Sequence, residues 1–176
     1  NAFQEKKKVL AVFVDLSKAF DKVWRKGLLL KLSQCGVSGN MFFWIRNYLS
    51  QRKARVKLEG KTSHLVNLQE GVPQGSVISP TLFLVFINDI MKNVPVRISR
   101  ALHADDLAAW HAAEHIATAQ IRMQETLNQI SKWSGDWGVE VNTTKTVATC
   151  FSLAKTQERF NLTMNERELP HDDNPT

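Results

Sequence analysis

The chain alternates between short apolar runs and polar, glycine-containing connections, which predicts a fold of mixed strands and helices. Residues 9–15, VLAVFVD, form a nearly continuous apolar run that is rich in β-branched side chains. Such a run is typical of a strand that is covered on both faces. The run ends in Asp15, so the pattern predicts a buried strand with a carboxylate at its end.

Two helices and a hairpin are predicted after this strand. The stretch KGLLLKLSQCG has the pattern of a short helix that ends at Gly36. NMFFWIRNYLS follows as a second helix, with Ser38 as a possible cap. Residues 52–69 then suggest a hairpin that turns near its EGK sequence.

Two further helices have clear boundary signals. SPTLFLVFINDIMKNV begins with Ser79 as the expected N-cap and Pro80 at the first helical position. A longer helix is predicted from Glu114 to Trp137, closed by Gly138. Its apolar positions with helical spacing are Ile116, Met123, Leu127, Ile130 and Trp137.

The remaining apolar stretches predict strands. RISRALH and LAAWHA are expected to pair across the sequence ADD, and VEVN and TVATCFS follow the long helix. The resulting order of elements predicts an α+β fold, in which an antiparallel sheet carries helices on one face.

Composition restricts the possible classes of protein. A chain of 176 residues with 43% hydrophobic content is expected to form about one domain with a sizeable core. No apolar run approaches the roughly 18 residues that span a bilayer, and no signal-peptide core follows the charged start. Cys35 and Cys150 have no metal-ligand spacing, which favours a reducing, intracellular setting. The start NAFQEKKK and the end LPHDDNPT suggest a piece of a larger polypeptide.

The positive charge lies in the first part of the chain. Residues 1–60 contain 13 Lys and Arg against 4 Asp and Glu, whereas residues 61–176 contain 10 against 13, which together give the net charge of +6. A basic segment of this kind favours a polyanionic partner, although a solvated lysine-rich surface explains the charge about equally well.

Three carboxylates are candidates for chemistry because they lie at predicted strand ends. If the strand of residues 9–15 lies beside the ADD hairpin, Asp15, Asp105 and Asp106 converge. Carboxylates brought together repel each other unless protons or cations bridge them, and Mg²⁺ prefers such oxygen ligands. Two such ions about 4 Å apart would support an in-line phosphoryl transfer.

The loop EGVPQGSVISP, residues 70–80, is a second candidate. Gly71 and Gly75 would let the backbone approach a ligand closely, and Gln74 offers an amide to a base or sugar. An ordinary Gly-Pro loop is the alternative. Asp21 is expected to cap a helix or form an ion pair.

Four stretches in this order resemble motifs A, B, C and D of reverse transcriptases. They are VFVDLSKAFDKVW, GVPQGSVISPTLFLVFIND, ALHADDLAAW and WGVEVNTTKT, and they are most similar to those of non-LTR, LINE-type, jockey-like retrotransposons. The resemblance covers roughly residues 8–170. It implies an RNA-directed DNA polymerase that extends a DNA primer on an RNA template with dNTPs.

The resemblance also implies a metal site. Asp15 and Asp105 match the family's metal-binding pair, with the backbone carbonyl of Leu16 as a further ligand. Asp106 matches the second motif C aspartate, which supports the site. Two Mg²⁺ ions, or Mn²⁺ in their place, are the expected cofactors.

The same resemblance implies residues that contact the nucleotide. Phe20 matches the aromatic steric gate, which favours dNTP over NTP. Gln74 and Gly75 would line the pocket for nucleotide and template. Lys145 matches the motif D lysine that protonates the departing pyrophosphate, although a solvated lysine after a turn is a simpler interpretation.

The implied fold is a right-hand polymerase palm, with a ferredoxin-like antiparallel sheet and part of the fingers. Residues 1–170 would hold motifs A to E, with FNLTMNERELP as the motif E hairpin and residues 171–176 as a frayed tail. The upstream fingers and the thumb would belong to missing parts of the parent polypeptide. That parent would act in the cytoplasm and nucleus, without a membrane.

Several interpretations stay open. His103 departs from the family pattern, because it occupies the position of the usual aromatic residue before Ala-Asp-Asp. Since the upstream fingers and the thumb would be missing, the chain is alternatively a catalytically dead remnant that only folds or binds nucleic acid. A remote alternative is a metalloprotease, because HAAEH at residues 111–115 matches the H-x-x-E-H pattern. An exposed basic hairpin segment is a candidate phosphate contact, or an ordinary surface hairpin; its residues are Arg52, Lys53, Arg55 and Lys57.

Overall fold

The computed structural model describes residues 7–153 and 159–172, and they divide into two compact units. The sheet unit lies within Asn1–Ser17 and Asp89–Thr176, and the helical unit is Lys18–Asn88. In chain order the elements are β1 (Lys8–Val14), β2 (Leu16–Ser17), α1 (Arg25–Gln34), α2 (Gly39–Leu49), β3 (Lys53–Ala54), β4 (Lys57–Leu58), β5 (Lys61–Thr62), β6 (Val66–Asn67), α3 (Ser79–Ile87), β7 (Ser99–His103), β8 (Asp106–Ala113), α4 (Ile116–Trp137), β9 (Glu140–Val141), β10 (Val147–Phe151), β11 (Thr163–Met164) and β12 (Arg167–Glu168).

A four-stranded antiparallel sheet organises the sheet unit. Its spatial order is β10-β1-β8-β7, so the first strand of the chain lies at the centre. The strands and the helices between them follow a β-α-β-β-α-β sequence. The predicted mixture of α and β elements, with an antiparallel sheet, is confirmed.

The long helix α4 covers one face of this sheet, where it packs against β1 and β8. Leu10 and Val12 of β1 are completely buried, as are Met123 and Ile130 of α4. The helix ends at Gly138, which has a φ of +68°. Only glycine adopts this conformation without strain, so the predicted end of the helix is confirmed.

The opposite face of β1 is not covered along its whole length. Ala11 is buried, but 37% of Phe13 is exposed. The prediction of a strand covered on both faces is therefore wrong at the C-terminal end of β1. The apolar run continues there because Phe13 lines a cavity.

The helical unit contains the two helices predicted after β1. α1 packs against α2 and α3, and its residue Lys31 is buried, with its ammonium donating to the carbonyl oxygen of Phe86 at 2.5 Å. Gly36, with a φ of +87°, follows α1 as predicted. Ser38 occupies the N-cap position of α2, but its side chain makes no capping hydrogen bond.

The start of α3 differs from the prediction. The N-cap is Ile78, and Ser79 lies inside the helix. A turn precedes the helix, and the Ser79 amide closes it by donating to the carbonyl oxygen of Ser76 at 3.3 Å. The helix therefore starts one residue earlier than predicted. The Ser79 hydroxyl is buried and has no hydrogen-bond partner among the described residues.

The predicted hairpin at residues 52–69 is confirmed as two short strand pairs, β3 with β6 and β4 with β5. Its tip is Glu59–Gly60, where both residues have positive φ, as two-residue hairpin turns require. FNLTMNERELP likewise contains the hairpin β11–β12. His171 forms a bridge to Ala148 of β10, and residues 173–176 of the predicted tail lie outside the described residues.

Within the described part of the chain, no helix combines the length and apolar character needed to cross a bilayer.

Candidate active site

Two carboxylates lie side by side at one end of the central sheet. β1 ends at Val14, which is opposite Leu107 of β8. Asp15 directly follows β1, and Asp106 is the first residue of β8. Both side chains line the same cavity, so they lie on the same side of the sheet.

This side of the sheet forms a cavity of about 560 Å³. Phe13 and Ala108 are opposite each other and contribute to its apolar wall. The polar side chains that line the cavity are Asp15, His103, Asp106, Lys145 and Asp172. The cavity therefore combines carboxylates with one lysine and one histidine.

A loop after β9 positions Lys145 at this cavity. The Asn142 carboxamide oxygen accepts hydrogen bonds from the Thr144 hydroxyl at 2.7 Å and from the Lys145 amide at 3.3 Å. The loop also holds the backbone of Asp15, whose amide donates to the Thr146 hydroxyl oxygen at 3.2 Å. The Asp15 carbonyl oxygen in turn accepts from the Asn142 amide at 2.9 Å. The loop thus connects the lysine to the aspartate.

Asp105 occupies a different position from Asp106. It forms the two-residue turn between β7 and β8 with Ala104, which has a φ of +53°. His103 and Asp106 flank this turn and are opposite each other. The cavity is lined by Asp106, and the turn residue Asp105 is not among its lining residues.

The donor set at this cavity fits a hard cation. Asp15 and Asp106 supply carboxylate oxygens, and Mg²⁺ is commonly held by one or two carboxylates together with substrate phosphates. Across residues 7–153 and 159–172, no three His, Cys, Asp or Glu side chains form a metal-binding group. Leu16, the predicted backbone ligand, follows Asp15 in β2 and is opposite Val141.

The histidines of HAAEH do not share a helical face. His111 lies in β8, and His115 is the N-cap residue of α4. The arrangement that a helical H-x-x-E-H metal site needs is therefore absent from this segment.

In the helical unit, the loop of residues 68–74 is fastened to the start of α1. Arg25 donates three hydrogen bonds of 2.7–2.8 Å to the carbonyl oxygens of Leu68, Glu70 and Gly71. Burial lowers the pKa of the Arg25 guanidinium from its usual value, and the nearby Arg52 lowers it further, whereas Glu70 raises it. Arg25 and Arg52 both line a cavity of about 700 Å³ next to this loop.

Gly71 is required by the close approach of two backbone segments. It has a φ of +83°, and a Cβ atom at this position would lie 2.6 Å from the carbonyl oxygen of Asp21. Its amide donates to the carbonyl oxygen of Val23 at 2.8 Å. Gly75 has a similar φ of +80°, but a Cβ atom there would meet open space.

The helical unit also contains the predicted nucleotide-contacting residues Phe20, Gln74 and Gly75. The ring of Phe20 stacks on Phe83, with centroids 4.3 Å apart. The Gln74 side-chain amide donates to the Asp21 carboxylate at 2.9 Å. Asp21 therefore holds the loop through Gln74. No helix begins at Asp21, so it does not cap one. Each of these residues is thus fixed within its own unit.

The predicted phosphate contacts are on the hairpin that follows α2. Lys53, Arg55 and Lys57 are exposed, and Arg52 is half-buried beside Tyr48. Their positive charge is therefore open to a polyanion.

Sequence reasoning missed the residues that hold the others in place. Arg25, Asn142 and Thr146 act through contacts with backbone groups that are distant along the chain. The sequence NTTK contained a signal for Asn142, because Asn commonly accepts hydrogen bonds from the amides that follow it in a turn. Nothing local marks Arg25.

The fold is similar to that of two solved telomerase structures. An apo telomerase from Candida tropicalis, truncated from its C-terminal domain, matches 93% of this chain with a TM-score of 0.64 and 13% identity, and 34% of that structure is covered. A telomerase from Candida albicans matches 91% of the chain with a TM-score of 0.61 and 15% identity, and 29% of it is covered.

The sequence defines the family. Residues 1–168 match the reverse transcriptase (RNA-dependent DNA polymerase) family, so the chain belongs to it. Similar proteins include the RNA-directed DNA polymerase from mobile element jockey of Drosophila melanogaster, 30% identical over 97% of this chain. The probable RNA-directed DNA polymerase from transposon BS of the same organism is 33% identical over 86% of this chain. The predicted resemblance to jockey-like elements is confirmed. The chain spans 19% and 17% of the lengths of these two relatives.

Proposed function

We propose that this chain is the palm and part of the fingers of a retrotransposon reverse transcriptase, which extends a DNA primer on an RNA template with dNTPs. The observation that carries the proposal is the pair of carboxylates, Asp15 directly after β1 and Asp106 at the start of β8, which line one cavity. The ferredoxin-like order of the sheet strands supports the assignment to a palm.

Asp15, Asp105 and Asp106 are the proposed holders of Mg²⁺: Asp15 and Asp106 line the cavity, and Asp105 lies on the adjoining turn. When bound, Mg²⁺ would supply positive charge that stabilises the oxygens of a phosphoryl transfer. The role of the chain is to fix the carboxylates: the Asn142 and Thr146 contacts hold the Asp15 backbone, and the β7–β8 turn orients the other two. Such preorganised groups need little rearrangement during the reaction.

Lys145 is the proposed general acid. It lines the same cavity as Asp15 and Asp106, which supports a role for its ammonium in protonating a leaving pyrophosphate oxygen. In the helical unit, Phe20 is the proposed sugar gate, and its stacking on Phe83 limits the movement of the ring. Gln74 and Gly75 are proposed to contact the nucleotide and template.

Primer extension by the complete chain tests this function. The assay uses an RNA template, a labelled DNA primer, dNTPs and Mg²⁺, with Mn²⁺ as a parallel condition. Asp15→Asn and Asp106→Asn are expected to lower the extension rate by roughly 10²–10³, because each removes a carboxylate that would hold Mg²⁺ at the reacting phosphate. Asp105→Asn tests the turn carboxylate in the same way.

The matched control is Asp136→Asn. Asp136 is an exposed carboxylate of α4 that pairs with Lys132 at 3.8 Å, so its loss should leave the extension rate unchanged. Full activity in Asp15→Asn would refute the proposed site. Failure of the unsubstituted chain to extend any primer would refute polymerase activity for this chain and favour a nucleic-acid-binding role.

A further inference from the structure

The helical unit carries a stacked series of one basic and two aromatic side chains, which we term the aromatic ladder: Trp44, Tyr48 and Arg52. The rings of Trp44 and Tyr48 stack with their centroids 5.7 Å apart and their planes inclined by 10°. The Arg52 guanidinium lies 5.7 Å from the centroid of the Tyr48 ring. Residues four positions apart on α2 lie on one side of the helix, so the ladder continues from the helix into the hairpin.

The outer end of the aromatic ladder is open to solvent. Trp44 is 54% exposed, although tryptophan is usually largely buried. Its stacking on Tyr48 fixes the ring plane before any ligand binds, which lowers the entropy lost on binding. An exposed, prepositioned indole is a suitable surface for stacking a planar group.

The middle residue of the aromatic ladder, Tyr48, contacts the loop that carries Gln74 and Gly75. The Tyr48 hydroxyl donates to the Ser76 hydroxyl at 2.5 Å, and Ser76 directly follows Gly75. Tyr48 thus connects the exposed Trp44 with the proposed nucleotide and template pocket in the same unit.

The hairpin next to the aromatic ladder is strongly basic. Residues 52–67 contain five Lys or Arg and one Glu. Lys53, Arg55, Lys57 and Lys61 are exposed, and none of them pairs with a carboxylate anywhere in residues 7–153 and 159–172. Their charge is therefore available to phosphates.

From this combination we infer that the aromatic ladder and the basic hairpin bind the unpaired RNA template strand as it approaches the Gln74 loop. A base stacks on Trp44, and the hairpin contacts the adjoining phosphates. Single-stranded nucleic acid is commonly bound in this way, by aromatic rings beside a basic surface. A duplex is disfavoured because its bases already stack on each other. This inference rests on the proposed function for the identity of the strand as template.

A protein partner is the main rival. Val56 and Leu58 of the hairpin are exposed, and such apolar side chains also occur at protein interfaces. The hairpin has an excess of basic residues over its single acidic residue, Glu59, which favours a polyanion. The guanidinium of Arg52 is stacked on a ring, which favours a partner with planar bases.

Fluorescence anisotropy tests the inference. It measures the binding of the complete chain to a fluorescein-labelled, unstructured RNA of about 12 nucleotides, without dNTPs. Trp44→Leu is expected to raise the Kd about tenfold, because stacking of one base is lost. Trp44→Phe keeps a ring and is expected to stay within about threefold of the unsubstituted chain. The control is Leu30→Ala, an apolar residue of α1 with 53% exposure, which should not change the Kd.

Salt dependence separates stacking from phosphate contacts. Each phosphate contact on a single strand contributes about 0.7 to the slope of log K against log salt concentration. Lys53→Gln combined with Lys57→Gln should therefore reduce the slope by about 1.4. Trp44→Leu should weaken binding without changing the slope, and Lys92→Gln, an exposed lysine of the sheet unit, should change neither.

Three results would overturn the inference. The first is a Trp44→Leu variant that is folded by circular dichroism and binds RNA as tightly as the unsubstituted chain. The second is a change in self-association by light scattering with RNA binding unaltered, which would indicate a protein contact. The third is tighter binding to DNA of the same sequence or to duplex RNA, which would exclude the template strand as the ligand.

The catalytic proposal fails separately. Asp15→Asn should abolish primer extension and leave RNA binding intact. If the unsubstituted chain binds RNA through Trp44 but extends no primer, the polymerase proposal is refuted while the binding surface stands.

Discussion

At the residue scale, two glycines with nearly the same backbone conformation have different roles. Gly36 and Gly71 have φ values of +87° and +83°. A Cβ atom at Gly36 would meet nothing within 4 Å, whereas one at Gly71 would meet the Asp21 backbone. Substitutions at these two glycines therefore separate the free-energy cost of the backbone conformation from the free-energy cost of the steric contact.

Gly71→Ala should destabilise the protein far more than Gly36→Ala. A left-handed conformation costs a residue other than glycine about 1–2 kcal/mol, and both variants incur it. The Gly71 variant must also displace backbone, which raises its total cost above roughly 3 kcal/mol. Urea unfolding of both variants measures the difference, and equal losses of unfolding free energy would show that the loop moves freely away from Asp21.

At the element scale, the loop between β9 and β10 links the end of β1 to Lys145. Thr146 is completely buried, and its hydroxyl accepts the hydrogen bond from the Asp15 amide. The loop thus supports the strand end on which one of the carboxylates lies.

Thr146→Val keeps the shape of the side chain and removes the acceptor. The Asp15 amide would lose its partner, so the free energy of unfolding should fall by about 1–3 kcal/mol. Primer extension should slow, because Lys145 and Asp15 lose their common support. The exposed Thr118 of α4 provides the control Thr118→Val, which should change neither quantity. A normal extension rate in Thr146→Val would show that the loop does not position the site.

The elements differ in how far their sequences determine them. α4 is predictable because its apolar spacing and Gly138 agree over 22 residues. The start of α3 is not, since Ser79 has the residue type of a cap but lies one position inside the helix. The fastening of the 68–74 loop by Arg25 depends on contacts between positions more than 40 residues apart, which no local pattern encodes.

The candidate site was predictable only in part. Motif resemblance named Asp15, Asp105 and Asp106 as candidates, but only the pairing of β1 with β8 brings the end of β1 next to the start of β8. A shift of one residue in that register would turn Asp106 to the other face of the sheet. β1 and β8 come from distant parts of the chain, so their register is not set by a local turn and becomes visible only in three dimensions.

At the scale of the whole molecule, the sheet unit is assembled from two separate parts of the chain. β1 lies between β10 and β8, and residues 18–88 of the helical unit intervene in sequence. The most central strand is therefore held by partners that are distant in sequence.

Native-state hydrogen exchange should reflect this arrangement. The amides of Leu10 and Val12 should be among the slowest to exchange, because they are buried and central in the sheet. The amides of Lys57 and Leu58 belong to an exposed two-stranded hairpin and should exchange orders of magnitude faster. Similar protection of both groups would indicate a single cooperative unit that includes the hairpin.

The central position of β1 also has a consequence for synthesis on the ribosome. β1 emerges before its partners β8 and β10, which begin at Asp106 and Val147. At about 5–20 residues per second, the apolar strand waits roughly 5–20 seconds for β8, and longer for β10. During that interval it is a target for chaperones and for pairing with other nascent chains, so slower translation of the segment between them should increase aggregation of the newly made protein.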